Sequence, residues 1–181
     1  KDYGMFPWLS QHLASIGFIS HRFNFSHSGM QAGIDAFERP DLFEKDTWNR
    51  QVEDLKVLAD TFRQPDLPLH IIGHSRGGVS CLLAAGRGVV KPDKLISLSA
   101  PSTCLSMSKD VQEDLLKNGY LISPSARTNQ ELRVGMPFLQ EQLDEPEHHD
   151  LLTLVQRIEC PMLIAHGDED ESVPVSASTD I

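Results

Sequence analysis

The stretch that decides the fold is Leu69-His70-Ile71-Ile72-Gly73-His74-Ser75-Arg76-Gly77-Gly78-Val79-Ser80-Cys81-Leu82-Leu83-Ala84-Ala85. Its first four residues, bounded by Pro68 and Gly73, form a short apolar run that predicts a buried strand. From Gly77 to about Ala85 the residues are small or apolar and predict a helix. Between them stands Gly73-His74-Ser75-Arg76-Gly77, a G-x-S-x-G pattern. A serine at so sharp a strand-to-helix turn is held in strained backbone geometry, with its hydroxyl raised above the sheet edge. Side chains at Gly73 and Gly77 would collide with the neighbouring strand and helix, so both positions favour glycine. The helix starts beneath the serine, and its first amide, that of Arg76, can point at a developing oxyanion. The bare pattern arises by chance in about 6% of chains of this length, and the flanking strand and helix remove most of those cases. The plain alternative is a tight turn that merely needs glycines.

Upstream, Phe6, Leu9, Leu13 and Ile16 recur at helical spacing, with Pro7 in the first turn and Gly17 just past the end. Gly17 opens Phe18 to Phe25, which predicts a strand, and Ser26 to Lys45 reads as a long loop. A second helix is predicted from Thr47 to Phe62, with Asp46 as cap and Trp48, Val52, Leu55, Ala59 and Phe62 on one face. Downstream, Lys94 to Ser99 and Met162 to Ala165 are apolar strands closed by Pro101 and Gly167. Apolar strands alternating with helices predict an α/β fold, a doubly wound, mostly parallel sheet covered on both faces. Ser102 to Asp150 is polar and mixed, and breaks the alternation. It reads as an inserted cap of short helices or a hairpin, with Asn118-Gly119 as a turn signal. Residues 1–181 thus read as one domain, with 102–150 as the cap insertion.

The composition narrows the function. The chain has 181 residues, 40% of them hydrophobic, enough for one sizeable core. A net charge of −10 without a basic stripe disfavours nucleic-acid binding through charge. No apolar run approaches the roughly 20 residues of a membrane span, and no signal-peptide pattern is read. Cys81, Cys104 and Cys160 are odd in number and lack C-x-x-C spacing, which fits a reducing compartment and a cytoplasmic protein.

A second element bears chemistry: Cys160-Pro161-Met162-Leu163-Ile164-Ala165-His166-Gly167-Asp168-Glu169-Asp170-Glu171-Ser172-Val173-Pro174. A buried strand here delivers an acidic turn. A carboxylate at the carboxyl end of that strand, on the same side of the sheet as Ser75, is placed to orient a histidine and stabilise its imidazolium. Taken alone, the turn reads as a solvated acidic loop.

With these segments together, the chain resembles an alpha/beta-hydrolase-fold serine hydrolase. It is most similar to the branch that groups serine-aminopeptidase-like and esterase-like enzymes. The resemblance is carried by Gly73-His74-Ser75-Arg76-Gly77-Gly78, by Leu98-Ser99-Ala100-Pro101 and by His166 to Pro174. Phe23-Asn24-Phe25-Ser26 followed by Gly29 also resembles that family's loop after its fourth strand. The resemblance implies Ser75 as nucleophile, Asp170 rather than Asp168 as triad acid, and the Arg76 amide as one oxyanion donor. It implies hydrolysis of a small-molecule ester or amide without cofactor or metal.

The chain departs from that family at both ends. The family order is Ser, Asp, His, yet all eight histidines (His12, His21, His27, His70, His74, His148, His149 and His166) precede Asp170. His148 and His149 read as a surface helix start, and His74 as a ring turned away from the serine hydroxyl. His70 and His166 read as hydrogen-bonded core residues on strands. Lys1-Asp2-Tyr3-Gly4 resembles the residues immediately after the family's His-Gly oxyanion loop, so the second amide and the strand before it are expected outside the chain. That strand would fill a gap of roughly 9–10 Å between two edges. The expectation is an internal piece of a longer hydrolase, its fold incomplete at both termini and its triad histidine beyond Ile181. Such a piece, alone, is expected to aggregate or stay partly unfolded, and not to turn over ester. Two other readings stand beside it. One is a non-catalytic binding or interaction module on the same scaffold. The other is a metal site from His148, His149 and Asp150 with the run Asp168 to Glu171, although adjacent histidines lack the i, i+4 geometry of paired ligands. Met136, Phe138 and Leu139 read either as pocket lining or as packing.

Overall fold

The computed structural model describes residues 1–2, 4–33 and 35–181. In chain order its elements are α1 (Phe6–Ser15), α2 (Pro40–Phe43), α3 (Trp48–Phe62), β1 (His70–His74), α4 (Arg76–Gly86) and β2 (Lys94–Leu98). Next come α5 (Lys109–Asn118), β3 (Tyr120–Ser125), β4 (Gln130–Gly135), α6 (Met136–Asp144), α7 (Pro146–His149), α8 (Leu151–Val155), β5 (Met162–Ala165) and α9 (Ser176–Asp180). The apolar runs at 69–72, 94–99 and 162–165 become the parallel sheet β1-β2-β5.

Register explains which side chains meet the core. Leu95 and Ser97 point to one face, where Val79, Leu82 and Leu83 of α4 lie fully buried against it. α3 supplies Trp48, Val52 and Leu55 at helical spacing to the same cluster, and α8 adds Leu151, Leu154 and Val155. The alternate row, Ile72 beside Ile96 beside Leu163, points to the other face and is more open, with Leu163 57% exposed.

Three expectations change here. Residues 18–25 form no strand, because no described segment pairs with them. A strand is defined by its ladder, and this segment runs beside α3 instead: His21 stacks on Phe62 at 3.9 Å and the Ser26 amide donates to Asp54 Oδ2 at 2.7 Å. The cap of α3 is Thr47, whose Oγ1 accepts from the Arg50 amide at 3.3 Å, and not Asp46. The Asp46 carboxylate is drawn elsewhere, to Gln51 Nε2 at 2.6 Å and Arg76 Nη2 at 3.2 Å. Asn118-Gly119 is a helix stop rather than a hairpin turn, with Gly119 in the left-handed region at φ 80° closing α5.

Segment 102–150 contains both short helices and an antiparallel hairpin, β3-β4. It is stitched to the rest of the chain. The Glu141 carboxylate accepts from the amides of Trp48 (2.6 Å) and Asn49 (3.2 Å) at the start of α3. The Gly135 amide donates to the Glu44 carbonyl at 3.0 Å. Phe138 and Cys104 join the main hydrophobic cluster, and Leu139 is fully buried. Both Phe138 and Leu139 are thus packing residues, whereas Met136 is 40% exposed. All three cysteines are free, and burial pushes the Cys81 and Cys104 thiols up to about 12. Among the described residues no helix is long and apolar enough to cross a membrane.

Candidate active site

Ser75 joins β1 to α4 at φ 52° and ψ −124°, a backbone conformation that a residue with a side chain rarely adopts. The turn is held on both sides. The Ser75 amide donates to the Leu98 carbonyl at 2.8 Å, and its own carbonyl accepts from the Gly78 amide at 2.9 Å. Arg76 is the first residue of α4, so its amide has no acceptor within the helix.

The glycines divide differently from the sequence expectation. A Cβ on Gly73 would lie 2.7 Å from Gly78 Cα, so Gly73 is required by contact. Gly77 is not crowded, since a Cβ there meets nothing within 4 Å. The second required glycine is Gly78, where a Cβ would lie 2.8 Å from Ala100 Cβ and 2.9 Å from Ser97 Oγ. Gly78 sits over β2 because α4 crosses that strand in its first turn. The doubled glycine in the sequence was the available signal.

Asp170 lies in the turn after β5. Its Oδ1 accepts from the amides of Ser172 at 2.9 Å and Val173 at 3.0 Å. These amides, Val173 first, hold its carboxyl below the usual carboxylate range, helped by the Ser99 hydroxyl and the nearby His166. Ser99, to which the sequence reading gave no role of its own, follows β2 directly and is itself strained at φ 46°. Its amide donates to the Ala165 carbonyl at 2.8 Å. The strands that deliver Ser75 and Asp170 therefore end at the same sheet edge, separated by β2. Two inter-strand spacings are roughly 9–10 Å, and an imidazole bridging a hydroxyl to a carboxylate spans about 8 Å.

Among the described residues, the eight histidines are engaged away from the Ser75 hydroxyl. His12 stacks on Trp8, His21 on Phe62, His70 tilts on Phe18, and His74 meets Phe6 edge-on at 6.1 Å. His27 Nδ1 pairs with Ser26 Oγ. His166 is a buried structural residue: Nδ1 bonds Ser178 Oγ at 2.5 Å, Nε2 bonds the Val173 carbonyl at 2.9 Å, and Asp170 Oδ2 lies 3.5 Å away. His148 and His149 end α7 rather than start a surface helix. His148 is exposed beside Glu145, but the His149 side chain is only 3% exposed, with Nε2 3.4 Å from Glu141 Oε1. These two do not gather with the acidic turn, and among the described residues no group of three His, Cys, Asp or Glu side chains could hold a metal.

Sequence reasoning also missed the setting of the Arg76 side chain. Its guanidinium carbon lies 4.8 Å from the Trp48 ring and 4.8 Å from the Phe138 ring, with Nη2 on the buried Asp46. Nothing in residue spacing brings positions 46, 48, 76 and 138 together; only the tertiary fold does.

The chain is similar to mouse (Mus musculus) palmitoyl-protein thioesterase ABHD10, mitochondrial, with 28% identity over 175 residues, which are 92% of this chain and 54% of that protein. The human (Homo sapiens) protein of the same name is 24% identical over 182 residues, again 54% of its length. The chain thus spans about half the length of the curated relatives it matches. Among solved structures, a putative hydrolase from Agrobacterium vitis S4 superposes with a TM-score of 0.70 at 18% identity, covering 95% of this chain and 65% of that one. Mouse alpha/beta hydrolase domain-containing protein 10 superposes with a TM-score of 0.55 at 24% identity, covering 75% of this chain and 54% of that one. No family model matches. The parallel sheet, the strained serine turn and these superpositions agree that the chain carries the alpha/beta-hydrolase fold.

Proposed function

We propose that these residues supply the nucleophile and the acid of a serine hydrolase acting on an ester, thioester or amide. One observation carries the reading: Ser75 is held at φ 52° between the half-buried strand β1 and the first amide of α4. In the proposed reaction Ser75 Oγ attacks the substrate carbonyl carbon. Its proton passes to a histidine outside these 181 residues, oriented by Asp170. The Arg76 amide donates to the oxyanion of the tetrahedral intermediate. The leaving group departs with the proton, and water then releases the acyl group by the same steps. The thioester is included because the mouse and human relatives are named thioesterases. Three free cysteines support a reducing compartment.

The test is a fluorophosphonate probe applied to the full-length protein that carries this chain. The probe should label Ser75, and Ser75→Ala should abolish the label and lower turnover by up to about 10⁶. Asp170→Asn should lower turnover by about 10⁴. Labelling that survives Ser75→Ala removes Ser75 as nucleophile.

A second reading is a non-catalytic binding module on this scaffold, favoured by the absence of a histidine contact to Ser75 among the described residues. It expects no probe label on the wild-type protein. It also expects no histidine about 20–30 residues past Asp170 in the longer reading frame.

A further inference from the structure

Four side chains around the first turn of α4 form a closed circuit that begins and ends on one residue. Arg76 Nη2 donates to Asp46 Oδ2 at 3.2 Å, and Gln51 Nε2 donates to the same oxygen at 2.6 Å. The Ser80 hydroxyl lies 2.5 Å from Gln51 Oε1 and 3.0 Å from the Arg76 carbonyl, sharing its one proton between them. Gln51 and Ser80 are almost fully buried, and Asp46 is 7% exposed. The Trp48 and Phe138 rings hold the guanidinium from α3 and α6.

We propose that Asp46, Gln51 and Ser80 are positioning residues that fix the Arg76 amide for oxyanion binding, by pinning that residue through its side chain and its carbonyl at once. This rests on the reading of Ser75 as nucleophile. The physical case is geometric. The Ser75 amide is anchored on Leu98 of β2 and the Ser75 carbonyl on the Gly78 amide, and the next residue, Arg76, is held by the circuit. The peptide unit that carries the Arg76 N–H is therefore held at its own carbonyl by the first turn of α4, on one flank by the sheet and on the other, through the circuit, by α3. A donor tied in this way needs no reorganisation when charge develops on the substrate oxygen. Three of the four side chains are buried and that of Arg76 is 39% exposed; such a largely buried polar circuit adds geometric definition more than net stability. Glu141 and Asp54 are the other charged groups near it, facing Arg76 and Asp46 respectively.

The experiment measures two things on the full-length protein. One is the second-order rate of fluorophosphonate labelling at Ser75; the other is kcat and KM on a p-nitrophenyl ester. The variants are Ser80→Ala and Gln51→Leu, with Ser80→Thr as the hydroxyl-keeping rescue and Leu154→Ala as a core variant remote from the circuit. Ser80→Ala and Gln51→Leu should each slow labelling and lower kcat by about 10- to 100-fold, with KM within about twofold. Ser80→Thr should recover most of the rate. Leu154→Ala should lower the Tm yet label at the wild-type rate while folded. If Ser80→Ala and Gln51→Leu label as fast as wild type while Ser75→Ala stays unlabelled, the circuit positions nothing and the proposal is overturned with the Ser75 reading intact. If Ser75 in the wild type takes no label, the nucleophile reading itself fails and the circuit falls with it.

Discussion

Gly73 and Gly77 occupy the two glycine places of one motif, yet they stand in opposite surroundings. Gly73→Ala drives a methyl into the backbone of α4 and should destabilise by about 1–3 kcal/mol or more. Gly77→Ala places its methyl in open space inside a helix and should stabilise by roughly 0.5–1 kcal/mol. Urea denaturation of the two variants separates them by sign. Asp46 gives a second residue-scale prediction. Burial raises its carboxyl from 3.8 to about 6, against the pull of Arg76 and the Gln51 hydrogen bond. The folded chain therefore binds this proton more tightly than the unfolded one. Its stabilising effect is complete below pH 3.8 and is lost as pH rises through about 6. The shift corresponds to as much as about 3 kcal/mol. Asp46→Asn removes this dependence, so its stability relative to wild type should improve by up to that amount between pH 4 and pH 7, read by denaturant titration at both. Equal differences at the two pH values would refute the assignment.

At the scale of elements, Glu141 and Thr47 share the task of receiving the amides that open α3. Thr47→Ala should cost about 1 kcal/mol, the usual loss of a helix cap. Glu141→Ala strips an acceptor from both Trp48 and Asn49 and should cost more, about 1.5–3 kcal/mol. Hydrogen exchange at those two amides should accelerate in Glu141→Ala and barely change in Thr47→Ala. The same region shows where sequence legibility ended. β1, α4, β2 and β5 were readable to within about two residues, because apolar runs there are cut off by proline and glycine, which act locally. The serine turn was readable for the same reason. Phe18 to Phe25 has strand composition but pairs with no strand among the described residues, and composition does not report pairing. Asp46 and Thr47 are both good capping types; the choice fell to Thr47 because Arg76, distant in sequence, and Gln51, one turn into α3, claim the Asp46 carboxylate. His149 looked like a surface residue until the Glu141 helix folded over it.

For the molecule as a whole, charge and apolar exposure pull in opposite directions. Trp8, Ile19, Ile16 and Leu163 are each more than half exposed, at 66%, 60%, 58% and 57%, and β1 and β5 each have one edge that pairs with no described strand. Such edges and patches favour self-association. The net charge of −10 opposes it through repulsion between copies, but only over the Debye length, which falls from about 30 Å at 0.01 M salt to about 4–5 Å at 0.5 M. The balance should therefore tip with ionic strength. Sedimentation velocity of the 181-residue chain, which is expected to associate when alone, should show smaller species at about 0.01 M salt than at about 0.5 M. Leu163→Glu places a charge in the middle of the β5 edge strand, where the side chain already meets solvent, so it should leave the monomer folded and suppress the high-salt species. A sedimentation profile that is the same at both salt concentrations, or association untouched by Leu163→Glu, would show that neither the open sheet face nor the charge governs how copies meet.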